Sequence, residues 1–235
     1  MANTSIAAAY RRSALMTATK VTTKAPSEEV LRARDSFHDF CCFMGKAPAK
    51  HMLEWHNELC TGKDSECLLG IGGPNTSILA PRGSAKSTVL GLFAAWMIGR
   101  HTAAGKMLRI LYIAYMVDIS RAKSATIKGI LTSNKYREVF PMVRLSKIKR
   151  SDEYWSIDYE FAGIDTAGEE AFTIACGGLK GAITSKRSQL VLIDDPIKSA
   201  ASINNPDIRR EMEQTWSNVI APTMFQGARA ICLGT

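Results

Sequence analysis

Residues 76–88 read Thr-Ser-Ile-Leu-Ala-Pro-Arg-Gly-Ser-Ala-Lys-Ser-Thr. A short β-prone run, Thr76 to Leu79, enters a Pro/Gly/Ser turn, and a helix opens at Lys86. The pattern G-x-x-x-x-G-K-[ST] cradles phosphates at this kind of junction. Ala80 and Ala85 stand where its two glycines belong, yet Lys86 and Ser87 keep the chemistry. The loop Pro81, Arg82, Gly83, Ser84, Ala85, Lys86, Ser87 and Thr88 presents backbone N–H groups and a helix N-terminus to an anion. Lys86 can reach β- and γ-phosphates, and the Ser87 hydroxyl can hold Mg²⁺. A surface turn would use the same Pro, Gly and Ser. The residues after the loop decide between the two. Val89 to Ile98 (Val-Leu-Gly-Leu-Phe-Ala-Ala-Trp-Met-Ile) is apolar on every face, as in a helix buried against a sheet. The first turn of such a helix is a poor place for an idle lysine.

The partner motif lies downstream. Gln189-Leu-Val-Leu-Ile193 is an apolar, β-rich run ending in Asp194-Asp195-Pro196. Such runs fill strands buried on both faces of a parallel sheet, and open α/β sheets bind ligands at the carboxyl ends of their strands. Asp194 then holds Mg²⁺, directly or through water. Asp195 is the base or water-orienting carboxylate, where many ATPases of this type carry Glu. ATP and Mg²⁺ are the expected ligand and cofactor.

The chain has 235 residues, 46% of them hydrophobic, enough for one large buried core. No apolar run approaches the ~20 residues that cross a bilayer, and Arg11 and Arg12 interrupt the Ala-rich start. A soluble intracellular protein without a membrane partner is expected. The six cysteines show no C-x-x-C spacing, so they read as reduced core thiols. His56, Cys60 and Cys67 lack the second pair a zinc site needs. A formal net charge of +8 favours a polyanionic partner. Basic residues gather before Ser27, at Arg144, Lys147, Lys149 and Arg150, and at Lys180, Lys186 and Arg187.

Residues 1–26 are Ala/Thr-rich and basic, and read as a flexible arm. Ser27-Glu28-Glu29 starts a helix carrying Val30, Leu31, Phe37, Phe40, Cys41 and Met44. A second helix covers about Ala49 to Cys60. After Gly70 to Asn75 and the 76–79 strand, the pattern gives a strand at Ile110–Ala114 and helices near Ser120–Leu131 and Ser133–Phe140. Strands are expected next at Tyr154–Phe161, Ala171–Cys176 and 189–194, then a helix near Asp207–Asn218 and a strand at Ala228–Leu233. Alternating strands and helices indicate an α/β fold with a mostly parallel central sheet flanked by helices, of the P-loop NTPase type. Strands between the 76–79 and 189–194 runs leave room for an inserted central strand, as in RecA-like ATPases of the additional-strand, catalytic-glutamate class. The closing Leu233-Gly234-Thr235 puts a hydroxyl at a strand end, where it could sense a γ-phosphate.

Together these residues resemble the N-terminal ATPase domain of the large terminase subunit, the DNA-packaging motor of tailed bacteriophages. The resemblance spans roughly 30–235. It rests on Arg82 four residues before Lys86, on Gly177-Gly178-Leu179-Lys180-Gly181 followed by Gln189 to Pro196, and on Tyr136-Arg137-Glu138-Val139-Phe140-Pro141. Trp216 and the closing Leu233-Gly234-Thr235 add to it. It implies a P-loop ATPase domain over 27–235 with a helical N-terminal subdomain. It implies that Arg82 contacts the γ-phosphate in cis, Lys86 and Ser87 bind phosphate and metal, Asp194 binds metal and Asp195 activates water. Gly234 and Thr235 fall in its coupling motif. Its adenine contact falls at Trp55 and His56, which lack the usual glutamine. Further implications are double-stranded DNA as substrate and a homo-oligomeric ring on the procapsid, with a chain monomeric when isolated. Portal protein and small terminase subunit are the implied partners, and the host cell cytoplasm the location. Candidate DNA contacts are Lys147, Lys149, Arg150, Lys180, Lys186 and Arg187, with Arg150 also a candidate trans-acting arginine. The family's nuclease domain has no counterpart in this sequence, so no nuclease activity is expected. The alternatives are a helicase-like ATPase core, which needs a second RecA-like domain, and a nucleotide-binding scaffold that does not hydrolyse. A small-molecule kinase fits the paired aspartates and basic surface less well.

Overall fold

The computed structural model describes residues 25–60, 73–179, 186–197 and 204–235. The expected arm (residues 1–24 of it), Cys67, Gly70, Lys180 and Gly181 lie outside them. The first helical stretch is not one helix. Ser27 caps α1 (Glu28–Asp35), its side chain accepting from the Val30 amide. Ser36 then turns extended at φ −121° and caps α2 (Phe37–Phe43) by accepting from the Asp39 amide at 3.2 Å. A serine inside an apolar pattern has redirected the backbone, as capping residues do. A 3₁₀ turn (Lys50–Met52) leads into α3 (Leu53–Cys60).

Then comes β1 (Thr76–Leu79), followed by α4 (Lys86–Ala103), β2 (Ile110–Ala114), α5 (Val117–Thr132) and α6 (Asn134–Val139). A hairpin of β3 (Leu145–Arg150) and β4 (Tyr154–Ile157) precedes β5 (Ile174–Gly178) and β6 (Ser188–Asp194). The strand expected at Tyr154–Phe161 is shorter, and the 144–150 basic group contains a strand that its charges concealed. Helix α7 (Pro206–Thr215) passes through a π turn (Trp216–Ile220) and a 3₁₀ turn (Ala221–Thr223) into β7 (Met224–Gly234).

One seven-stranded sheet has the order β1-β7-β6-β2-β5-β4-β3. The first five strands in that order pair in parallel, and β4 and β3 add antiparallel at the far edge. An inserted central strand is present, but its source differs from the expectation. The strand between β1 and β6 is β7, the last in the chain. The intervening β2 to β5 lie on the opposite side of β6. Strands adjacent in sequence need not be adjacent in space when a crossover doubles back.

Alternation along the strands builds a core on each face. Ile110, Tyr112, Leu190, Leu192 and Ile231 join α4 in one cluster. Leu111, Ile113, Val191, Ile193 and Ala230 form the other, covered by Trp216, Val219 and Ile220. Helix α4 is buried on nearly every side, which explains its unbroken apolar sequence. It also anchors the N-terminal helices. Trp96 Nε1 donates to Ala33 O at 3.1 Å, and Arg100 donates to Asp35 O at 2.9 Å while lying over the Trp96 ring. Arg229 of β7 has no exposed surface. Its guanidinium donates to Leu59 O, Glu58 O and Pro74 O and to Thr76 Oγ1 at 2.7–2.8 Å, tying α3 and the entry to β1 onto β7. No helix among the described residues is long and apolar enough to cross a membrane.

Gly99 marks the closest packing on α4. A Cβ there would sit 2.3 Å from Phe140 Cδ2, and Phe140 is itself buried. Helix propensity alone favours Gly99→Ala by about 1 kcal/mol, but overpacking costs about 1–3 kcal/mol. Gly99→Ala is therefore expected to lower the melting temperature by several degrees, as followed by circular dichroism; a higher value would mean that Phe140 moves aside freely.

Candidate active site

The loop after β1 folds as the site requires despite its missing glycines. Ala80 N donates to Gly234 O at 3.0 Å, so the strand ends in register with β7. Gly83 turns the chain at φ +81°, and Ser84 Oγ donates to Pro81 O at 2.7 Å. Ala85, the residue before α4, is left-handed at φ 59°, ψ 23°. Glycine adopts that conformation without cost; alanine gives up about 1 kcal/mol. The second motif glycine is thus absent from the sequence while its backbone conformation is kept. Ala80 has no such conformation.

Lys86 is 5% exposed and folds back over the loop, its Nζ donating to Ala80 O at 2.8 Å and Pro81 O at 3.0 Å. An ammonium carries three donors, so these two bonds do not exhaust it. Ser87 Oγ donates to Asp194 Oδ1 at 3.0 Å, joining positions 107 residues apart. The other oxygen, Asp194 Oδ2, accepts from the Tyr112 hydroxyl at 3.1 Å. Asp194 is 2% exposed, so a carboxylate taken from water is balanced by hydrogen bonds.

Asp195 is left-handed at φ 44°. Its amide donates to Leu233 O at 2.8 Å, and its Oδ1 accepts from Thr235 Oγ1 at 2.6 Å. That turn swings the second aspartate away from the buried position of the first. The loop residues Arg82 to Thr88, with Tyr115, Met116, Asp195 and Thr235, line a cleft of about 480 Å³. Arg82 is on its exposed rim. The oxygen donors fit Mg²⁺, which keeps several waters and binds through one or two carboxylates plus substrate phosphates. Ser87 and Asp194 carry oxygen donors that could hold such an ion; no cluster of three or more His, Cys, Asp or Glu side chains occurs among the described residues.

Several sequence-derived candidates lie elsewhere. His56 does not line the cleft. It is buried with its ring 4.5 Å from Phe37, and Trp55 packs at the edge of the same core. Burial, and to a lesser extent His38, push the His56 imidazole down to about 4. Lys147, Lys149 and Arg150 are on β3, three strands beyond β2 in the sheet. Lys149 Nζ donates to Ala171 O at 2.7 Å and lies over Tyr154, while Arg150 Nε donates to Ser146 O at 2.9 Å. Lys186 pairs with Glu170, whose carboxyl it holds below the usual range, and Arg187 lies over Phe225. Arg150 and Lys149 share a recess of about 750 Å³ with Lys128, Arg137 and Arg144, floored by Val143, Leu145 and Trp155. Tyr115 and Met116 line the cleft and Tyr112 lies buried behind it against Asp194, and no sequence motif marks any of the three. Only the single hydroxyl in Ile110-Leu-Tyr-Ile-Ala114 could have signalled Tyr112.

The glycine-poor loop, the acidic strand end and the inserted last strand define a P-loop α/β fold. No protein-family model matches the chain, and no curated protein matches its sequence. Solved structures similar to it include two phage domains. One is the large terminase ATPase domain of Thermus phage P74-26, at 16% identity and a TM-score of 0.47, covering 90% of this chain and 70% of that one. The other is the N-terminal domain of the DNA packaging ATPase from bacteriophage phi29, at 16% identity and a TM-score of 0.41, covering 73% of this chain and 78% of that one.

The placement of His56 has a pH consequence. Its folded value lies below the ordinary 6.5, so the unfolded chain takes up a proton first as pH falls. Stability present above pH 6.5 is then lost as pH falls toward 4, by up to about 3 kcal/mol at 1.36 kcal/mol per unit. The melting temperature is expected to drop between pH 6.5 and 5, above the carboxylate range, and His56→Gln to flatten that drop. An unchanged slope in the variant would place the lost protonation elsewhere.

Proposed function

We propose that this chain is a Mg²⁺-dependent ATPase domain that drives DNA packaging. The observation that carries the ATPase reading is the meeting of Lys86, Ser87, Asp195 and Thr235 in one cleft, with Asp194 bonded to Ser87 behind it, from three separate stretches of sequence. The loop amides and Lys86 bind the phosphates, and Arg82 reaches the γ-phosphate from the rim. Ser87 and Asp194 hold Mg²⁺, which when bound draws charge from the phosphate oxygens. Asp195 orients the attacking water and takes its proton, its carboxylate aimed by Thr235. Because Thr235 directly follows β7, the same hydrogen bond gives the hydrolytic carboxylate a handle on that strand.

Double-stranded DNA as substrate, a ring on a viral procapsid, contact with portal protein and small terminase subunit, and a site in the host cell cytoplasm all rest on the sequence resemblance. In this reading a motor that acts on any sequence grips phosphates. Arg150 at the recess and exposed Lys147 on the same strand, with Lys180 and Arg187, are the cations offered to the duplex. Lys149 and Lys186 are already engaged within the protein and contribute less. Arg150 is the proposed trans-acting arginine.

Steady-state ATP hydrolysis tests the core of this proposal. Lys86→Ala is expected to reduce turnover about a hundredfold or more, with an unchanged circular dichroism spectrum. Asp195→Asn is expected to stop hydrolysis while calorimetry still detects Mg-ATP, and Asp194→Asn to lose the metal-dependent part of that binding. Nucleotide binding without turnover in the unaltered chain would favour a scaffold instead.

The DNA part has its own test. Affinity for duplex DNA is expected to fall steeply with salt and to ignore sequence, and ATP turnover to rise with protein concentration as copies assemble. Fluorescence anisotropy against salt, and turnover against concentration, check both; salt-insensitive binding would remove the phosphate-gripping surface.

A further inference from the structure

Tyr112 stands behind the metal-binding pair, and no part of the P-loop pattern calls for it. It occupies the middle of β2, where Leu111 and Ile113 are aliphatic, and it has no exposed surface. A phenol at that position costs free energy unless its hydroxyl is bonded. Its partner is Asp194 Oδ2 at 3.1 Å. The parallel register fixes the approach, because β2 lies directly beside β6, with Tyr112 opposite Leu192 and Ala114 opposite Asp194. The hydroxyl thus reaches toward the strand end where the carboxylate emerges.

The two oxygens of Asp194 are divided between two donors. Oδ2 accepts from Tyr112 and Oδ1 accepts from Ser87. A carboxylate only accepts, so each hydroxyl is the donor of its hydrogen bond. The Ser87 hydroxyl has one proton, and committing it to Oδ1 leaves its oxygen lone pairs for a cation in the cleft. If Asp194 rotated about its side-chain bonds, Ser87 would lose that acceptor and its lone pairs would no longer be directed. Tyr112 blocks the rotation by holding the far oxygen. The chain Tyr112–Asp194–Ser87 therefore orders both metal-binding groups from one buried hydroxyl.

We infer that Tyr112 is a positioning residue for the divalent cation, setting the orientation of Asp194 and, through it, of Ser87. This rests on the nucleotide-site reading above. A phenol serving only to fill the core would affect stability and leave metal affinity alone. A positioning role moves metal affinity, and outer partners of metal ligands are typically worth about 10–100-fold there.

The test uses the whole chain with ADP, and Mn²⁺ as probe, its free concentration read by electron paramagnetic resonance. Tyr112→Phe removes one oxygen and keeps the ring. It is expected to weaken Mn²⁺ binding to the ADP complex about 10–100-fold, while ADP affinity in EDTA stays within about twofold. Ser87→Ala should weaken Mn²⁺ binding as well, and the double variant should lose less than the product of the two effects, because both act through Asp194. Unchanged Mn²⁺ affinity in Tyr112→Phe, or fully multiplicative losses, would overturn the assignment. If the unaltered chain fails to bind Mn²⁺ with ADP, the nucleotide-site reading itself fails, a distinct outcome. Should Tyr112→Phe not fold, 3-fluorotyrosine at position 112 reads the same contact. Its ¹⁹F resonance is expected to shift when Mg²⁺ joins the ADP complex, and a stationary resonance would overturn the role.

Discussion

The parallel pairing of β7 between β1 and β6 is the constraint on which the site depends. β1 delivers the phosphate loop and β6 delivers the two aspartates, and neither strand touches the other. What sets their separation is one strand width on each side of β7, about 4.8 Å per step. Its carbonyls also fix where the two neighbours stop: Gly234 O takes the Ala80 amide and Leu233 O takes the Asp195 amide. A glycine at 234 suits this place, since a Cβ would come within 3.2 Å of Leu79. Thr235, the next residue, then falls beside Asp195.

Burial does the rest of the positioning. The first turn of α4 is held because the remainder of that helix is packed on almost every side, and the sheet face beneath it is continuous apolar surface. At about 25 cal/mol per Å² of apolar area removed from water, such a helix has strong reasons to stay in place. The local strain at Ala85 and Asp195, of order 1–3 kcal/mol each, is small beside it. Both left-handed residues sit at the cleft, where the backbone must turn sharply to expose the loop amides and separate the two carboxylates. Rigid surroundings let the loop keep its conformation with alanine in place of glycine.

The phosphate loop and the acidic strand were legible in the sequence because both are local: a turn between a strand and a helix, and a β-rich run ending in two carboxylates. Their partnership was legible because few other arrangements use that pair. The placement of β7 was not, since chain order says nothing of a strand that returns to the middle of a sheet. β3 was hidden because Lys147, Lys149 and Arg150 read as a charged surface, although charged residues are common on edge strands. Tyr112 was hidden for the opposite reason: in an aliphatic run an aromatic reads as core, and only the register with β6 exposes its second task. His56 illustrates how a titratable residue on a helix of mixed polar and apolar residues can turn inward, here against Phe37.

Arg229 gives the fold a mechanical property as well as a structural one. Its guanidinium is hydrogen-bonded to the Glu58 and Leu59 carbonyls in the last turn of α3 and to the entry of β1, and six residues further on Thr235 follows the end of the same strand. That distance is roughly 20 Å of extended chain, flanked by hydrogen-bonded strands on both sides and therefore almost inextensible. A strand so held links the Asp195 carboxylate at one end to the carbonyls of α3 at the other. A displacement of a few tenths of an ångström at either end has little slack in which to be absorbed along the way.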